Sequence, residues 1–530
     1  MRLLVVTFAT ACVACLFLTP IVRMLAKRWG IVDHPDEHRK LHSQSTPLGG
    51  GVAVLMAFLA AVAVVLTFSN SQREQIATNA TFFVGLISAA IVICIIGLVD
   101  DRFGLRGRQK LAGQLVSAGI VTASGLMIDS VQLFGFEVEL GLLAVPFTLF
   151  FLLGAINALN LIDGLDGLAT GVGIVVSVAI SVMATLSGHP VEAFLALAIA
   201  GALTGFLFYN SPPASIFLGD AGSMLIGLVL GTLAIRGSLK GPATIMLAAP
   251  TAIWAIPIFD VSMAILRRRL TGRSIYTTDR GHLHHVLMQH GFSNRRTVAI
   301  IGSLCTLTAV GATLSVYMNN ESLAFAAVIA VCAVLVATRL FGYQECSLLF
   351  RRLKGMAVSL VPFLKKDRHA PVELTTHFRG SREWDDLWDT LTVFAEQFEL
   401  TTVQLNVNLP KIGEEYHASW HCKAPSDEHE CWQSDIPLLA DNVAVGRLRI
   451  TGVSNGSRVC LWMGELIAGL EPFETHMLDL LDNDNGRCAT ASGHQDGSVS
   501  TQPDRLAPQA TAGDSAIGLL DPSGSDESSG

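Results

Sequence analysis

Aspartates recur in this chain wherever glycines, amide side chains and basic residues interrupt its apolar runs. Asp100 and Asp101 are adjacent, and Lys110 and Gln114 follow them. Asn157, Asn160, Asp163 and Asp166 form an N-x-x-N-x-x-D-G-x-D-G run. Asp220 sits between Gly219 and Ala221-Gly222-Ser223, ten residues beyond Asn210, which opens an Asn-Ser-Pro-Pro segment. Two further segments hold mixed charge and imidazole. One runs from Asp33 to His42 through Arg39 and Lys40, and leads into Thr46-Pro47 and Gly49-Gly50-Gly51. The other contains Asp279, Arg280, His282, His284 and His285.

These residue types fit phosphate transfer. Ionised carboxylates at a membrane boundary are costly unless they bind something. Asp163 and Asp166 lie three apart, so one helical turn would present both on one face. Around Asp220 the small neighbours permit close backbone approach. A few carboxylates with open positions suit Mg²⁺, or Mn²⁺ in its place, since Mg²⁺ takes one or two protein oxygens and completes its shell with water and substrate phosphate. Lys40, Lys110, Arg280 and the Arg267–Arg269 run supply the cations that would neutralise diphosphate oxygens.

Each motif also has a plainer explanation. Asp100-Asp101 could cap a helix at the membrane edge, and Asp163 and Asp166 with their glycines could form a turn. The three histidines could bind zinc, although no cysteine is near and most carboxylates are elsewhere. Arg267–Arg269 could be a topological anchor. What a set of separate plain explanations does not predict is that all five segments fall on one side of a membrane.

That side follows from the elements between them. Of 530 residues, 51% are hydrophobic and 15% charged, against about 25% charged in an ordinary soluble domain; mean hydropathy is +0.50. Runs of about 20 apolar residues, the length that crosses a bilayer, recur through residues 1–345. They predict eleven spans, near 3–25, 48–68, 80–99, 110–128, 142–158, 168–187, 191–209, 221–236, 243–266, 297–317 and 323–345. The first follows the order of a signal peptide, but its apolar run continues to about Leu25 and it reads as a retained helix. Loops after spans one, three and nine are basic: Arg23, Lys27, Arg28, Arg39 and Lys40; Arg102, Arg106, Arg108 and Lys110; Arg267 to Arg269, Arg273, Arg280, Arg295 and Arg296. The loops after even-numbered spans carry little beyond Arg73 and the Arg236–Lys240 turn. The positive-inside rule therefore puts the odd loops in the cytoplasm, the N-terminus outside and the exit from span eleven inside. The scattered cysteines, several within apolar runs, argue against a disulfide framework.

Beyond the spans, residues 346–370 read as a basic linker. Residues 371–482 read as a small cytoplasmic α+β domain. Trp384, Leu387, Trp388, Leu391, Phe394 and Phe398 have helical spacing, and Val403, Leu405 and Val407, like Leu448 and Ile450, alternate as strands do. A second helix is expected near 461–481. Cys422, His429 and Cys431, with His417 or His421, match no standard zinc spacing. Residues 483–530 have the composition of a disordered tail.

In the combination Asp100-Asp101, N-x-x-N-x-x-D-G-x-D-G and Gly219-Asp220-x-Gly-Ser, the chain resembles the polyprenyl-phosphate N-acetylhexosamine-1-phosphate transferases of glycosyltransferase family 4. The resemblance implies an all-α polytopic enzyme of the bacterial inner membrane, active on its cytoplasmic face. A UDP-sugar would donate a sugar 1-phosphate to undecaprenyl phosphate in the bilayer, with no nucleic acid partner, and the product would initiate cell-envelope polysaccharide synthesis. It also implies Mg²⁺, with Asp220 the direct ligand and Asp101 supporting metal or base. Asp100 would activate the lipid phosphate, while Asp163 and Asp166 hold nucleotide and diphosphate. The substrate-binding set would be Lys40, His42, Lys110, Asn157, Asn160, Asn210, Arg280, His282, His284 and His285. The Asp279-x-x-His282-x-His284-His285 pattern resembles the branch that uses UDP-GlcNAc. The alternatives are the phospho-MurNAc-pentapeptide transferases and, from another class, a transporter or lipid flippase. A homodimer, and a downstream glycosyltransferase recruited by the C-terminal domain, are further possible partners.

Overall fold

A computed structural model describes residues 2–33, 45–133, 136–237, 244–246, 248–270, 281–347, 349–350, 353, 372–379, 384–398, 400–409, 414–422, 431–440 and 443–453. Its first part is a helical bundle, as a chain in hydrocarbon requires when every backbone polar group must be satisfied within its own segment. The helices are α1 (Arg2–Arg28), α2 (Gly50–Phe68), α3 (Asn70–Thr78), α4 (Ala80–Phe103), α5 (Gly107–Ala123), α6 (Ala144–Ile162), α7 (Leu168–Leu186), α8 (Pro190–Asn210), α9 (Gly219–Gly237), α10 (Ala248–Ile253), α11 (Ala255–Leu270), α12 (Leu283–Gln289), α13 (Asn294–Met318) and α14 (Glu321–Ala337).

The expected count of eleven spans is not reached by long apolar helices. Among the described residues eight helices are long and apolar enough to cross a membrane: α1, α2, α4, the stretch Gly141–Ile162 that contains α6, α7, α8, α9 and α13. The fourth and eleventh expected spans are shorter helices of 17 residues, α5 and α14. The ninth is broken: a short strand, Thr244–Met246, precedes α10, and the chain restarts as α11 after Trp254. Charged residues explain α5, whose first turns carry Arg108 and Lys110.

Helix α9, short and rich in glycine, is the axis of the bundle. In it 89% of the apolar window is buried, against 22% in α1 at the periphery. Small residues bring its N-terminus close to two neighbours. A Cβ at Gly51 of α2 would lie 2.3 Å from the Gly222 backbone nitrogen, and one at Gly97 of α4 would lie 2.4 Å from the Ala221 Cα. Only hydrogen fits at such separations. One turn beyond Gly97, α4 therefore delivers Asp101 to the start of α9. The Thr46-Pro47 and glycine motif has a matching task. Phe217 N donates to Pro47 O at 2.9 Å, and Gly50 N and Gly51 N donate to Phe217 O and Leu218 O at 3.0 and 3.1 Å, so this motif grips the segment leading into Asp220. At its other end α9 is held by Arg236, which reaches buried Glu192 at 2.6 Å and stacks over Phe82 at 4.1 Å.

The C-terminal region is α+β, as its periodicity predicts. Strands β1 (Val372–Arg379), β2 (Leu400–Leu409), β3 (Glu414–His421), β4 (Cys431–Ala440) and β5 (Val443–Val453) form one antiparallel sheet in the order β1-β3-β2-β5-β4. Helix α15 (Trp384–Gln397) covers one face, where Trp384, Trp388, Val403, Leu405, Tyr416 and Ile450 are buried. His417 Nδ1 meets Asn406 at 2.5 Å and His421 Nδ1 meets Thr402 at 3.2 Å. The helix expected at 461–481, the tail from 483, most of the 346–370 linker and His429 lie outside the described residues.

Candidate active site

Four chain segments converge where α4 and α6 end and α9 begins. Asp101 accepts hydrogen bonds from the backbone N–H groups of Asp220 at 2.8 Å and Ala221 at 3.2 Å, one per carboxylate oxygen. It thus caps α9 from a neighbouring helix, satisfying two of the N–H groups that a helix N-terminus leaves free. Asp100 Oδ1 accepts from Leu105 N at 2.7 Å, which ties down the turn between α4 and α5. The capping explanation therefore holds for Asp101, on α9 rather than on its own helix, while Asp100 takes a second role.

That role centres on Lys110. Its ammonium stands 3.0 Å from Asp100 Oδ2 and 2.8 Å from Asp220 Oδ2, bridging two carboxylates that come from positions 120 residues apart in the chain. The remaining oxygen of Asp220 accepts from Asn160 Nδ2 at 2.5 Å, and Asn160 also reaches Ser223 Oγ at 2.9 Å. Asn157 is placed differently. It pairs with Gln114 in a half-buried amide–amide contact at 2.8 and 3.3 Å, which ties α5 to α6.

Asp163 and Asp166 do not share a helical face. Asp163 is the residue that ends α6, and the Asp163–Gly167 segment is a turn into α7, which Gly167 enters with a φ of 76°. Both carboxylates nevertheless line one cavity of about 360 Å³, together with Asp33, Asp101, Asn210, Phe217 and Asp220. Burial, then the charges of Asp220, Asp101 and Asp166, push the Asp163 carboxyl well above the usual range. Asp166 accepts from Ala214 N at 2.9 Å. Asn210 fixes the turn from the other side, accepting from Gly167 N and Thr170 Oγ1 at 3.1 and 2.7 Å and donating to Ile216 O at 3.0 Å. A larger groove of about 830 Å³ adjoins along Gly164, Leu165, Asp166 and Phe217, and Arg23, Lys27 and Arg295 line its outer part.

The histidine segment reaches the same turn. His284 is buried against Gly164, where a Cβ would lie 2.4 Å from its Nε2. The second residue of the D-G-x-D motif is thus a glycine because an imidazole occupies that space. His284 stacks with His282 at 6.1 Å and tilts on His285 at 4.2 Å. Burial, then the two neighbouring imidazoles, lower its pKa to about 2, so it is neutral. Lys40, His42 and Arg280 lie outside the described residues. Sequence reasoning did not single out Asp33 by itself, nor Asp260, which accepts from His282 and Leu283 at 3.0 and 2.8 Å. The i+7 spacing of Asp260 and Arg267 on a helix that leads to the histidines was the available signal.

The carboxylates fit a divalent cation. Asp100 and Asp220 converge on one cation position, which the Lys110 ammonium fills. Two carboxylates on one side, with the rest of the shell left to water and substrate oxygens, is the donor set Mg²⁺ uses.

A family model for glycosyl transferase family 4 matches residues 83–238, the span from α4 to the end of α9. A probable undecaprenyl-phosphate N-acetylglucosaminyl 1-phosphate transferase of Bacillus subtilis is 35% identical over 312 residues, covering 58% of this chain and 84% of the relative. This chain belongs to glycosyl transferase family 4. Other members similar to it include a decaprenyl-phosphate N-acetylglucosaminephosphotransferase of Mycobacterium tuberculosis, 34% identical over 64% of this chain and 89% of that protein. A phospho-N-acetylmuramoyl-pentapeptide-transferase of Shouchella clausii is 31% identical over 58% of this chain and 95% of its own length. The family match contains Asp100, Asp101, Lys110, Asn160, Asp163, Asp166 and Asp220, all of which border the cavity or the Lys110 bridge.

Proposed function

We propose that this family 4 member transfers GlcNAc-1-phosphate from UDP-GlcNAc to undecaprenyl phosphate, releasing UMP. The observation that carries the reading is the Lys110 bridge between Asp100 and Asp220 at the mouth of an acidic cavity, in a chain whose similar relatives carry GlcNAc-phosphate transferase names.

An oxygen of the lipid phosphate forms a bond to the β-phosphorus of the donor. The bond from that phosphorus to the bridging oxygen breaks, and UMP leaves with the oxygen. A phosphate monoester is largely ionised at neutral pH, so little proton transfer is needed, and positioning and charge neutralisation dominate. Lys110 supplies one fixed positive charge. Asp220 and Asp100 would hold Mg²⁺, which when bound supplies further neutralisation of phosphate oxygens. Asp101 keeps the α9 N-terminus in place under Asp220. The Asp163–Gly167 turn, fixed by Asn210, forms the wall that receives the nucleotide, and neutral His284 closes it. The arginines and lysines of the odd loops support an active site on the cytoplasmic face of the inner membrane with the N-terminus outside. A homodimer and a downstream glycosyltransferase docked on the C-terminal region belong to the same proposal.

The test is a donor panel given to the purified full chain with undecaprenyl phosphate, with and without Mg²⁺ or Mn²⁺. UDP-GlcNAc should give UMP only with metal. Preference for UDP-MurNAc-pentapeptide would move the chain to the peptidoglycan branch, and UMP release persisting in Asp220→Ala would favour a different chemistry.

A further inference from the structure

Helix α11 holds two buried polar residues two turns apart, Asp260 and Arg267, and both point to the same short segment. The Asp260 carboxylate is 1% exposed. Its Oδ2 lies 3.0 Å from His282 Nδ1, and its Oδ1 accepts from Leu283 N, the first residue of α12, at 2.8 Å. Because a carboxylate only accepts, the His282 ring donates through Nδ1. Arg267, 4% exposed, donates from Nη2 to Gly281 O at 3.1 Å and from Nε to Glu345 Oε1 at 2.7 Å. Its Nη2 makes a second contact with the same Glu345 oxygen. Three consecutive residues, Gly281, His282 and Leu283, are therefore each tied to α11, and Glu345 beyond α14 orients the guanidinium that makes the first tie.

The next residue is His284. Its ring is 2% exposed, and neither nitrogen has a hydrogen-bond partner among the described residues. A buried polar ring without partners is unfavourable and would move toward water if its backbone were free. It stays against Gly164 because the preceding three residues cannot move.

We propose that Asp260, Arg267 and Glu345 are positioning residues which hold His284 on the Asp163–Gly164 turn and so shape the donor side of the cavity. Neither Asp260 nor Glu345 lines that cavity. The clamp rests on the transferase reading only for its kinetic consequence; its placement of the segment does not.

The experiment compares the full chain in detergent with Asp260→Asn, Arg267→Lys and Glu345→Gln. Two quantities are read: hydrogen exchange at the Leu283–Leu287 amides, and separate KM values for UDP-GlcNAc and undecaprenyl phosphate. Expected for Asp260→Asn is at least tenfold faster exchange confined to that stretch, with donor KM raised fivefold or more and acceptor KM unchanged. Arg267→Lys, which keeps the charge but loses the two-sided fork, should fall between it and the wild type, as should Glu345→Gln. A loss of folded enzyme alone would lower Vmax with both KM values constant and raise exchange in α9 and α13 as well; that pattern, or unchanged exchange in all three variants, would overturn the proposal. Should Asp260→Asn not fold, Arg267→Lys and Glu345→Gln carry the test. If the wild type transfers no sugar phosphate while the exchange results hold, the functional reading fails and the clamp stands.

Discussion

Replacing Lys110 by methionine keeps the length of the side chain and removes its charge. In the wild type the ammonium stands 3.0 Å from Asp100 and 2.8 Å from Asp220. At an effective dielectric near 20, each contact is worth about 5–6 kcal/mol of gross attraction. The net figure is smaller, because burying the charges costs much of that gain; breaking one partner out of a buried pair typically costs about 3–5 kcal/mol. Side-chain exposures of 20% for Lys110 and 31% for Asp220 admit water and favour the lower end, so Lys110→Met should lose about 3 kcal/mol. Two carboxylates then face an empty cation position, and Mg²⁺ should take it. At ten times its Kd the ion returns about 1.4 kcal/mol. Thermal unfolding of wild type and variant is followed in detergent over a Mg²⁺ series, beside UMP release. The variant should melt lower, recover more with Mg²⁺ than the wild type does, and release UMP about 10²-fold more slowly, as when one fixed charge is removed from a phosphoryl site. Equal melting of the two proteins, or an identical Mg²⁺ response, would refute the view that Lys110 and the metal share the Asp100–Asp220 site.

Gly164→Ala places a methyl 2.4 Å from His284 Nε2. Overpacking of this kind costs about 1–3 kcal/mol, and donor KM should rise while acceptor KM holds, measured by steady-state UMP release. Asp101→Ala removes the α9 cap and should lower stability by about 1–2 kcal/mol, with Asp101→Asn losing less, as read from unfolding curves. His284 is neutral when folded, with a pKa near 2, and its unfolded value is near 6.5. As pH falls below 6.5 the unfolded chain takes up a proton that the folded one refuses, so stability drops by about 1.4 kcal/mol per pH unit. His284→Gln should flatten the melting-temperature slope between pH 6.5 and 5. Truncation at residue 370 should leave UMP release near the wild-type rate, since the described cavity uses no residue beyond Phe217–Asp220 and its neighbours in the bundle.

The aspartate motifs and the apolar runs were legible because both are local: a bilayer demands about twenty apolar residues in a row, and a carboxylate beside a glycine needs no partner to be noticed. The C-terminal helix and two of its strands were legible for the same reason, from Trp384 to Phe398 and from the alternation at Val403–Val407 and Leu448–Ile450. What was not legible depends on distant pairs. Asp101 is expected to serve metal or base; that its two oxygens also accept from the backbone of α9, 119 and 120 residues away, depends on the fold. Asp163 and Asp166 looked like one helical face, but the glycines at 164 and 167 turn the chain there. The apolar run from 243 to 266 predicts one continuous span; the break at Trp254 lies three residues before Pro257, which has no N–H to donate to Ile253. Lys110 was expected to bind diphosphate; only the fold reveals that it also bridges Asp100 and Asp220.

The central claim concerns which bond breaks. UDP-GlcNAc labelled at the β-phosphorus, given to the purified chain with undecaprenyl phosphate and Mg²⁺, should pass its label to the lipid in a one-to-one ratio with UMP formed, and Asp220→Asn should do neither. Label remaining with the nucleotide as UDP, or a lipid product that carries sugar without the labelled phosphorus, would contradict the account.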